Sequence, residues 1–175
     1  FAAYCPWMVG VFFAPNNIHQ NGRLLEDLHT MSRRFSWERR IEFRDTDAAG
    51  IAHFSTFFTM MEQAEHAWLR ELGYSVLWKQ ADNTLSWPRV AAECSFESPL
   101  WFEEIVQLEG QITKLGRSSV TYRFRFRCCE RRVAVGSITT VCCHVAHGEP
   151  PESVEIPAKI RSKLSEYVDT EQATT

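Results

Sequence analysis

The sequence predicts an α+β domain of two layers, with one long helix packed against one antiparallel sheet. Three features of the pattern support this class: a strand-like segment over residues 35–43, an apolar stripe at helical spacing from Phe57 to Leu72, and four strand-like segments between residues 89 and 145. A strand, a long helix and then consecutive strands are typical of a helix packed on an antiparallel sheet. The chain has 175 residues, of which 45% are apolar and 23% charged, which suits one ordinary globular domain.

The first strand is expected over 35–43, where alternate residues share one face. These residues are Phe35, Trp37, Arg39, Ile41 and Phe43. A two-residue period is the pattern of a strand with one buried side. The next segment, 44–50, contains two Asp residues and ends in Gly50, so we expect a turn with special backbone conformations.

A long helix is expected to follow, capped by Ser55 or Thr56. Its apolar stripe recurs at steps of three and four residues: Phe57, Met60, Met61, Ala64, Trp68 and Leu72. Phe58 and Leu69 widen this stripe, so we expect other elements to surround the helix. Gly73 is a natural stop signal for the helix.

After a polar connector at 79–86, we expect strands over 89–97, 105–115, 118–129 and 133–145. The third has the clearest alternation, because aromatic residues and Cys128 alternate with Thr121 and a row of arginines. Hairpin turns are expected at 115–117 and 130–132. A short terminal helix is expected over 158–168, with Pro157 near its start.

Residues 1–30 differ from the patterned region, since they show no sustained periodicity and begin without Met. We therefore expect an N-terminal extension, non-native or disordered, with a native start at Met31. The alternative is a genuine N-terminal arm that packs on the domain. The main domain is expected over 31–170, with a tail at 171–175.

Charge and cysteine usage restrict the partners and the compartment. The net charge of −3 and a pI near 6.1 argue against a nucleic-acid binder. No apolar stretch reaches the roughly 18–20 residues that a membrane span needs, so no membrane partner is expected. The six cysteines show no C-x-x-C spacing, and we expect small, buried, reduced thiols in a cytoplasmic protein. They are Cys5, Cys94, Cys128, Cys129, Cys142 and Cys143.

The segment 40–58 carries the candidate chemistry. It places Asp47 in a loop directly before the start of the long helix. The first turn of a helix has unpaired N–H groups and positive potential, which can polarise a carbonyl oxygen and hold an oxyanion. A carboxylate beside it can attack that carbonyl or activate water. Gly50 leaves the backbone open to a ligand. The pattern therefore favours acyl transfer, with Asp47 as the reacting carboxylate.

The motif Arg-Ile-Glu-Phe-x-Asp-x-Asp-x-Ala-Gly-Ile at 40–51, followed by an aromatic-rich helix start, resembles the 4-hydroxybenzoyl-CoA thioesterase family. It is also similar to the short-chain acyl-CoA thioesterases associated with the Tol–Pal system. The resemblance extends over about 32–168, including Ser-Pro-Leu-Trp-Phe-Glu-Glu at 98–104, Gly-Arg-Ser-Ser at 116–119 and Val-Glu-Ile-Pro at 154–157. It implies the hotdog fold, in which an antiparallel sheet wraps around a long central helix.

The resemblance also implies hydrolysis of an acyl-CoA to free coenzyme A and a carboxylic acid. The catalytic carboxylate of the family corresponds to Asp47, and its carbonyl-polarising N–H corresponds to Phe54. A homodimer or homotetramer is implied, with sites between subunits. No metal is expected, and no cofactor besides the coenzyme A of the substrate. Substrate contacts are expected from Gly50, Phe57, Phe58, Arg117 and Ser118.

This chain departs from the family at two positions. Many relatives have His or Tyr where this chain has Phe54, and Asn where it has Thr56. His53, one residue earlier, is therefore a further catalytic candidate, although packing at an interface is an equal alternative. Another hotdog clade supplies its carboxylate from the helix, so Glu62 and Glu65 are reserve candidates against ordinary helix roles.

Several other interpretations stay open or are disfavoured. Arg123, Arg125 and Arg127 form one stripe that suits either CoA phosphates or a solvated sheet face. Asp45 is expected to hold the turn by local hydrogen bonds. The Gly-x-Ser-x-Gly motif is absent and no Cys has an obvious His partner, which disfavours Ser or Cys nucleophiles. The alternative functions are a non-catalytic acyl-CoA-binding hotdog module and a hotdog acyl-thioester dehydratase.

Overall fold

One long helix, α1 (Phe54–Glu71), packs against an antiparallel sheet, which confirms the α+β class. The computed structural model describes residues 33–79 and 83–169. The predictions for the extension at 1–30, for the tail at 171–175 and for Cys5 fall outside these ranges.

Nine strands form two antiparallel sheets. The larger sheet has the order β1-β5-β6-β7-β4 and the smaller one has the order β2-β3-β8-β9. The strands are β1 (Phe35–Arg40), β2 (Leu77–Lys79), β3 (Thr84–Ser86), β4 (Arg89–Phe96), β5 (Ile105–Leu115), β6 (Ser119–Cys128), β7 (Arg131–Val141), β8 (Cys143–His144) and β9 (Glu152–Ser153), counted over the described ranges. A second helix, α2 (Ala158–Ser165), follows β9.

The sheet curves around α1 because the apolar faces of both elements meet in one core. On β6 the buried residues Tyr122, Phe124 and Phe126 alternate with half-buried polar ones, as the two-residue period predicts. Trp68 of α1 stacks on Phe35 at 4.9 Å between ring centroids and contacts Tyr122 edge-on at 5.4 Å. Such aromatic contacts fix the orientation of the helix against the sheet.

The start of α1 differs from the prediction, and the difference matters for the site. The first strand ends at Arg40, not at residue 43, and a short 3-10 turn (Phe43–Asp45) follows it. The helix begins at Phe54 and is capped by His53, whose Nδ1 accepts a 3.4 Å hydrogen bond from the Ser55 N–H. Ser55 and Thr56 therefore lie inside the first turn and are not the cap.

Other boundaries also move. The polar connector at 79–86 contains β3 and the end of β2, and the strand expected over 133–145 is divided into β7 and β8 at Cys142. The turn between β6 and β7 lies at Cys129 and Glu130, where Cys129 has a positive φ of 51°. The expected hairpin residues 131 and 132 already belong to β7. Helix α2 ends at Ser165, before residue 168.

The cysteines of the described ranges are all free thiols. Cys128, Cys142 and Cys143 are buried and Cys94 is half-buried, but Cys129 is exposed at the β6–β7 turn, which corrects the expectation of uniformly buried thiols. Burial raises the pKa of Cys94 and Cys142 to about 11. Such thiols are poor nucleophiles. Neither helix in the described part of the chain combines the length and the apolar character that a membrane crossing requires.

Candidate active site

Asp45 anchors the loop that leads into α1. Its buried carboxylate pairs with the Arg39 guanidinium and accepts a 2.9 Å hydrogen bond from the Glu42 N–H. Its carbonyl oxygen accepts hydrogen bonds from the His53 N–H at 2.8 Å and from the Thr56 hydroxyl at 2.9 Å. Asp45 thus joins β1, the turn and the helix start, as the expected structural role requires.

Asp47 lies two residues later and is exposed. Its N–H donates to the Ile51 carbonyl at 2.9 Å, and its own carbonyl accepts from the Gly50 N–H at 3.0 Å, which closes a tight hairpin. One carboxylate oxygen, Oδ1, accepts a 2.8 Å hydrogen bond from the Ala49 N–H. No described side chain or amide engages Oδ2. The carboxylate is therefore held in place by the loop while one oxygen faces outward.

Gly50 gives this hairpin its shape. Its φ is +76°, in the left-handed region that side chains with a Cβ rarely adopt. A Cβ built at Gly50 meets no atom within 4 Å, so the surrounding space is open. Glycine is thus required here by backbone conformation, and the open space leaves room for a ligand beside Asp47.

The start of α1 faces the same loop. Phe54 is the first helical residue, and the N–H groups of a first turn have no acceptor within the helix. No hydrogen bond among the described residues uses the Phe54 N–H. The His53 ring lies 4.4 Å from the Phe54 ring, and its Nδ1 is 2.8 Å from the Ser55 hydroxyl. An unpaired amide at the positive end of a helix is suited to bind a carbonyl oxygen.

Exposed aromatic rings surround this loop. Phe43 is 81% exposed, Phe54 61%, Trp101 48% and Phe102 45%. Phe43 contacts Phe102 edge-on at 6.3 Å. Large exposed rings beside an open carboxylate indicate a surface that another molecule covers, either an apolar ligand or a further protein chain.

The segment 98–104 holds two of these rings against the loop. Trp101 forms an antiparallel bridge with Ile51, and the Phe102 N–H donates to the Gly50 carbonyl at 3.3 Å. Glu104 fixes the segment, because it accepts from the Trp101 N–H at 2.8 Å and pairs with Arg131 at 2.7 Å. The sequence marked this segment as part of the family resemblance but gave Trp101 no role. Its aromatic pair, followed by two acidic residues, is the signal that could have identified it.

Two predicted substrate residues lie elsewhere in the chain. Arg117 and Ser118 form the β5–β6 turn, whereas the Asp47 loop adjoins the Ile105 end of β5. The 11 residues of β5 separate these ends by roughly 34 Å. One chain therefore does not bring Arg117 or Ser118 to Asp47.

Phe57 and Phe58 have different environments. Phe57 is buried between Phe96 at 5.0 Å and Phe126 at 5.2 Å, so its ring belongs to the core and does not line an open pocket within one chain. Phe58 is half-buried at the edge of the core. Of the two residues on α1 that were predicted to contact the acyl group, only Phe58 is accessible in a single chain.

The reserve carboxylates on α1 form a separate cluster. Glu65 is buried, and its Oε2 lies 2.5 Å from the Arg89 guanidinium, which also pairs with Glu62 at 3.1 Å. Burial raises the pKa of Glu65 to about 7, although the positive charge of Arg89 opposes this shift. Burial, followed by the charge of Arg89, holds the pKa of His66 below its usual value. These contacts tie α1 to the start of β4.

Solved structures share this architecture. The 1,4-dihydroxy-2-naphthoyl-CoA thioesterase Slr0204 from Synechocystis matches with a TM-score of 0.66 at 20% identity, covering 80% of this chain and 99% of that chain. The gentisyl-coenzyme A thioesterase BH1999 matches with a TM-score of 0.65 at 29% identity, covering 74% and 98%. The fold is therefore the hotdog fold, as the sequence resemblance implied.

The sequence comparison gives the family. The model of the thioesterase-like superfamily matches residues 41–164. The 1,4-dihydroxy-2-naphthoyl-CoA hydrolase of Synechococcus elongatus is 28% identical over 109 residues, which are 62% of this chain and 80% of that relative. The chain belongs to the thioesterase-like superfamily and is by class a thioester hydrolase.

Proposed function

We propose that this protein is an acyl-CoA thioesterase in which Asp47 supplies the reacting carboxylate. One observation carries the proposal: an exposed carboxylate, oriented through Oδ1, shares a tight hairpin with a helix start whose Phe54 N–H is unpaired among the described residues. Hydrolysis of a thioester needs both a base or nucleophile and a donor for the developing oxyanion. The similar proteins that are named as hydrolases of coenzyme A thioesters support coenzyme A as the leaving group.

Asp47 can act in the hydrolysis in either of two ways, as a general base or as a nucleophile. As a general base, Asp47 takes a proton from water while the hydroxide adds to the thioester carbon and the oxyanion accepts the Phe54 N–H. Collapse breaks the C–S bond, and the coenzyme A thiolate receives the proton. As a nucleophile, Asp47 first forms a mixed anhydride and releases the thiolate, and water then hydrolyses the anhydride. We expect His53, at the helix cap, to orient water or substrate in both forms.

A second copy of the chain completes the proposed site. Arg117 and Ser118 lie at the far end of β5 and can reach the substrate only from a partner subunit. The exposed rings beside Asp47 also suit an acyl group or a subunit contact. We therefore propose a homodimer or homotetramer that acts on an acyl-CoA in the cytoplasm, where free thiols persist.

The test measures release of free thiol from aromatic and short aliphatic acyl-CoAs by the wild type and by Asp47→Asn. We expect the wild type to release coenzyme A and the variant to lose about 10²–10⁴-fold in kcat, the range for an acid–base group. Glu130→Gln, an exposed carboxylate at the β6–β7 turn, is the matched control and should retain activity.

Two results would contradict the proposal. Binding of acyl-CoAs without thiol release from any of them would identify a non-catalytic module. Undiminished thiol release by Asp47→Asn would show that another group is the catalytic carboxylate. Glu65 on α1 would then be the next residue to substitute. Retention of labelled oxygen from water in the enzyme after a single turnover would distinguish the nucleophile from the general base.

A further inference from the structure

A cleft rich in arginine opens between β1, the 3-10 turn and the outer face of α1. It has a volume of about 430 Å³. Its charged lining consists of Arg39, Arg40, Arg44, His66, Arg70 and a single carboxylate, Glu42. Gln63, His66 and Arg70 lie 9 to 16 residues after Phe54 on α1, so this wall extends roughly 14–24 Å from the helix start. The cleft is therefore distinct from the oxyanion position at Phe54.

Part of this lining is fixed in place by the fold. The Arg39 side chain is only 13% exposed and is held by Asp45 and by the Gln63 amide oxygen at 3.0 Å. Arg40 donates to the Glu103 carbonyl at 2.9 Å. These contacts hold the Arg39 and Arg40 guanidinium groups in fixed positions in the wall of the cleft.

The remaining arginines have no such partner. Over the described ranges, no carboxylate lies within ion-pair distance of Arg44 or Arg70. Arg44 stands on the 3-10 turn and Arg70 in the last turn of α1, so they approach the cleft from different elements. The positive charge of Arg70 is also among the causes that lower the pKa of His66, behind burial and Arg89.

Asp45 balances the charge of Arg39, and Glu42 is the one carboxylate in the described lining to offset the other three guanidinium groups, Arg40, Arg44 and Arg70. The cleft therefore keeps a net positive charge, and its guanidinium groups repel one another. An anion of high charge density removes this repulsion. Guanidinium groups bind phosphate oxygens through pairs of parallel hydrogen bonds, and they do so better than ammonium groups. Trp37, which is half-buried and also lines the cleft, adds an aromatic surface on which a base can stack.

We infer that this cleft binds a phosphate-bearing anion, held by Arg44 and Arg70 from different elements and by the guanidinium of Arg40. The ligand class is a phosphate, a diphosphate or a nucleoside bisphosphate. Two sources share this chemistry: the nucleotide end of a coenzyme A thioester, and a separate small phosphate compound. Binding in the cleft is independent of thioester hydrolysis, because it needs neither Asp47 nor a thioester.

The test is isothermal titration calorimetry of the full chain with pyrophosphate, with adenosine 3′,5′-bisphosphate and with coenzyme A at low ionic strength. We expect binding to the wild type, a loss of about tenfold in affinity for Arg44→Ala and for Arg70→Ala, and a larger loss for the double variant. Arg132→Ala removes an exposed arginine outside the cleft and is the matched control. Arg70→Lys keeps the charge without the fork and should recover part of the affinity.

Competition then identifies the source. Displacement of pyrophosphate by coenzyme A assigns the cleft to the nucleotide end of the substrate, and binding of pyrophosphate that coenzyme A does not displace assigns it to a separate phosphate compound. Circular dichroism and urea unfolding of each variant verify that the fold is intact. No binding of any of the three probes, or equal affinities for the wild type and the double variant, would refute the inference. Asp47→Asn should bind all three probes as the wild type does, which separates this result from the fate of the thioesterase proposal.

Discussion

At the scale of single residues, two aspartates separated by one position have opposite surroundings. Asp45 is buried and engages Arg39, two backbone N–H groups and Thr56, whereas Asp47 is exposed with only Oδ1 engaged. The sequence predicted that Asp45 holds the turn by local hydrogen bonds, and these contacts agree with that role; the catalytic role of Asp47, which the family resemblance implies, stays a prediction. The sequence did not predict His53 as the cap, since Ser and Thr are the more common caps and both occur directly after it.

The buried carboxyl group of Glu65 makes the stability of the fold depend on pH. Burial raises its pKa from 4.5 to about 7, so the folded protein binds this proton more tightly than the unfolded chain does. Stabilisation by the protonated carboxyl is therefore fully present below about pH 4.5 and is lost as the pH rises through about 7. The shift corresponds to about 3 kcal/mol across that interval.

We predict that Glu65→Gln removes this dependence. The free energy of unfolding of the variant, relative to the wild type, should rise by about 3 kcal/mol between pH 4.5 and pH 8, since the amide cannot lose a proton. Urea unfolding at half-unit pH steps measures the difference. Glu62→Gln removes a half-exposed partner of the same Arg89 whose charge contributes least to the raised pKa of Glu65, so most of the pH dependence of the wild type should remain. Parallel profiles for Glu65→Gln and the wild type would refute the prediction.

At the scale of elements, the close approach of α1 to the sheet depends on two glycines on the face of the sheet that contacts the helix. A Cβ at Gly110 of β5 would lie 2.7 Å from Cζ3 of Trp68, and one at Gly136 of β7 would overlap the Met61 thioether. Trp68 is rigid because rings surround it, including Phe35 and Tyr167. Met61 is flexible and can move its sulfur.

We therefore predict an unequal pair of effects. Gly110→Ala should lower the free energy of unfolding by about 2–3 kcal/mol, as overpacking against a fixed ring does, and Gly136→Ala by about 1 kcal/mol or less. Chemical denaturation of both variants measures the difference, and a buried Trp68 provides the fluorescence signal. A larger loss for Gly136→Ala than for Gly110→Ala would show that the tryptophan, and not the methionine, moves aside.

The elements that the sequence predicted are those with long periodic patterns. The apolar stripe of the helix and the alternation of β6 are long enough to show a clear period, and both predictions are confirmed. The strands β2, β3, β8 and β9 have only two or three residues each, so they carry no period; β8 fell inside the strand expected over 133–145, and the other three were missed. They form through pairing with one another, which is tertiary information that no local window contains.

At the scale of the whole molecule, the sheet register decides which predicted site residues can meet. Arg40 pairs with Ile105 and Phe35 with Gly110, so the Asp47 loop adjoins one end of β5 and the Arg117 turn lies beyond the other. The sequence identified both segments but not the distance between them, because spacing along the chain does not give spacing across a sheet. Trp101 and Phe102 belong to a segment that the family resemblance included without a role, and the fold brings them beside Gly50 and Ile51.

Strand β4 is one of the two edge strands of the larger sheet and is exposed along almost its whole length. It pairs with β7 on one side, and its only residue that is not exposed is the half-buried Cys94. Val90 is 62% exposed and Phe96 51%. A long edge with apolar side chains invites pairing with another chain. This edge is therefore the surface on which we expect the proposed homo-oligomer to form.

We predict that Val90→Glu raises the dissociation constant of the oligomer by at least about tenfold, because a charged side chain on an exposed strand edge opposes pairing with another chain. Sedimentation velocity over a range of protein concentrations measures the shift. Leu77→Glu changes a 49% exposed residue on the other sheet and should leave the assembly intact. Thioesterase activity of Val90→Glu should fall at low protein concentration and return at high concentration, since Arg117 and Ser118 are expected from the partner subunit. A monomeric wild type at all concentrations, or activity of Val90→Glu that is independent of concentration, would refute a shared site.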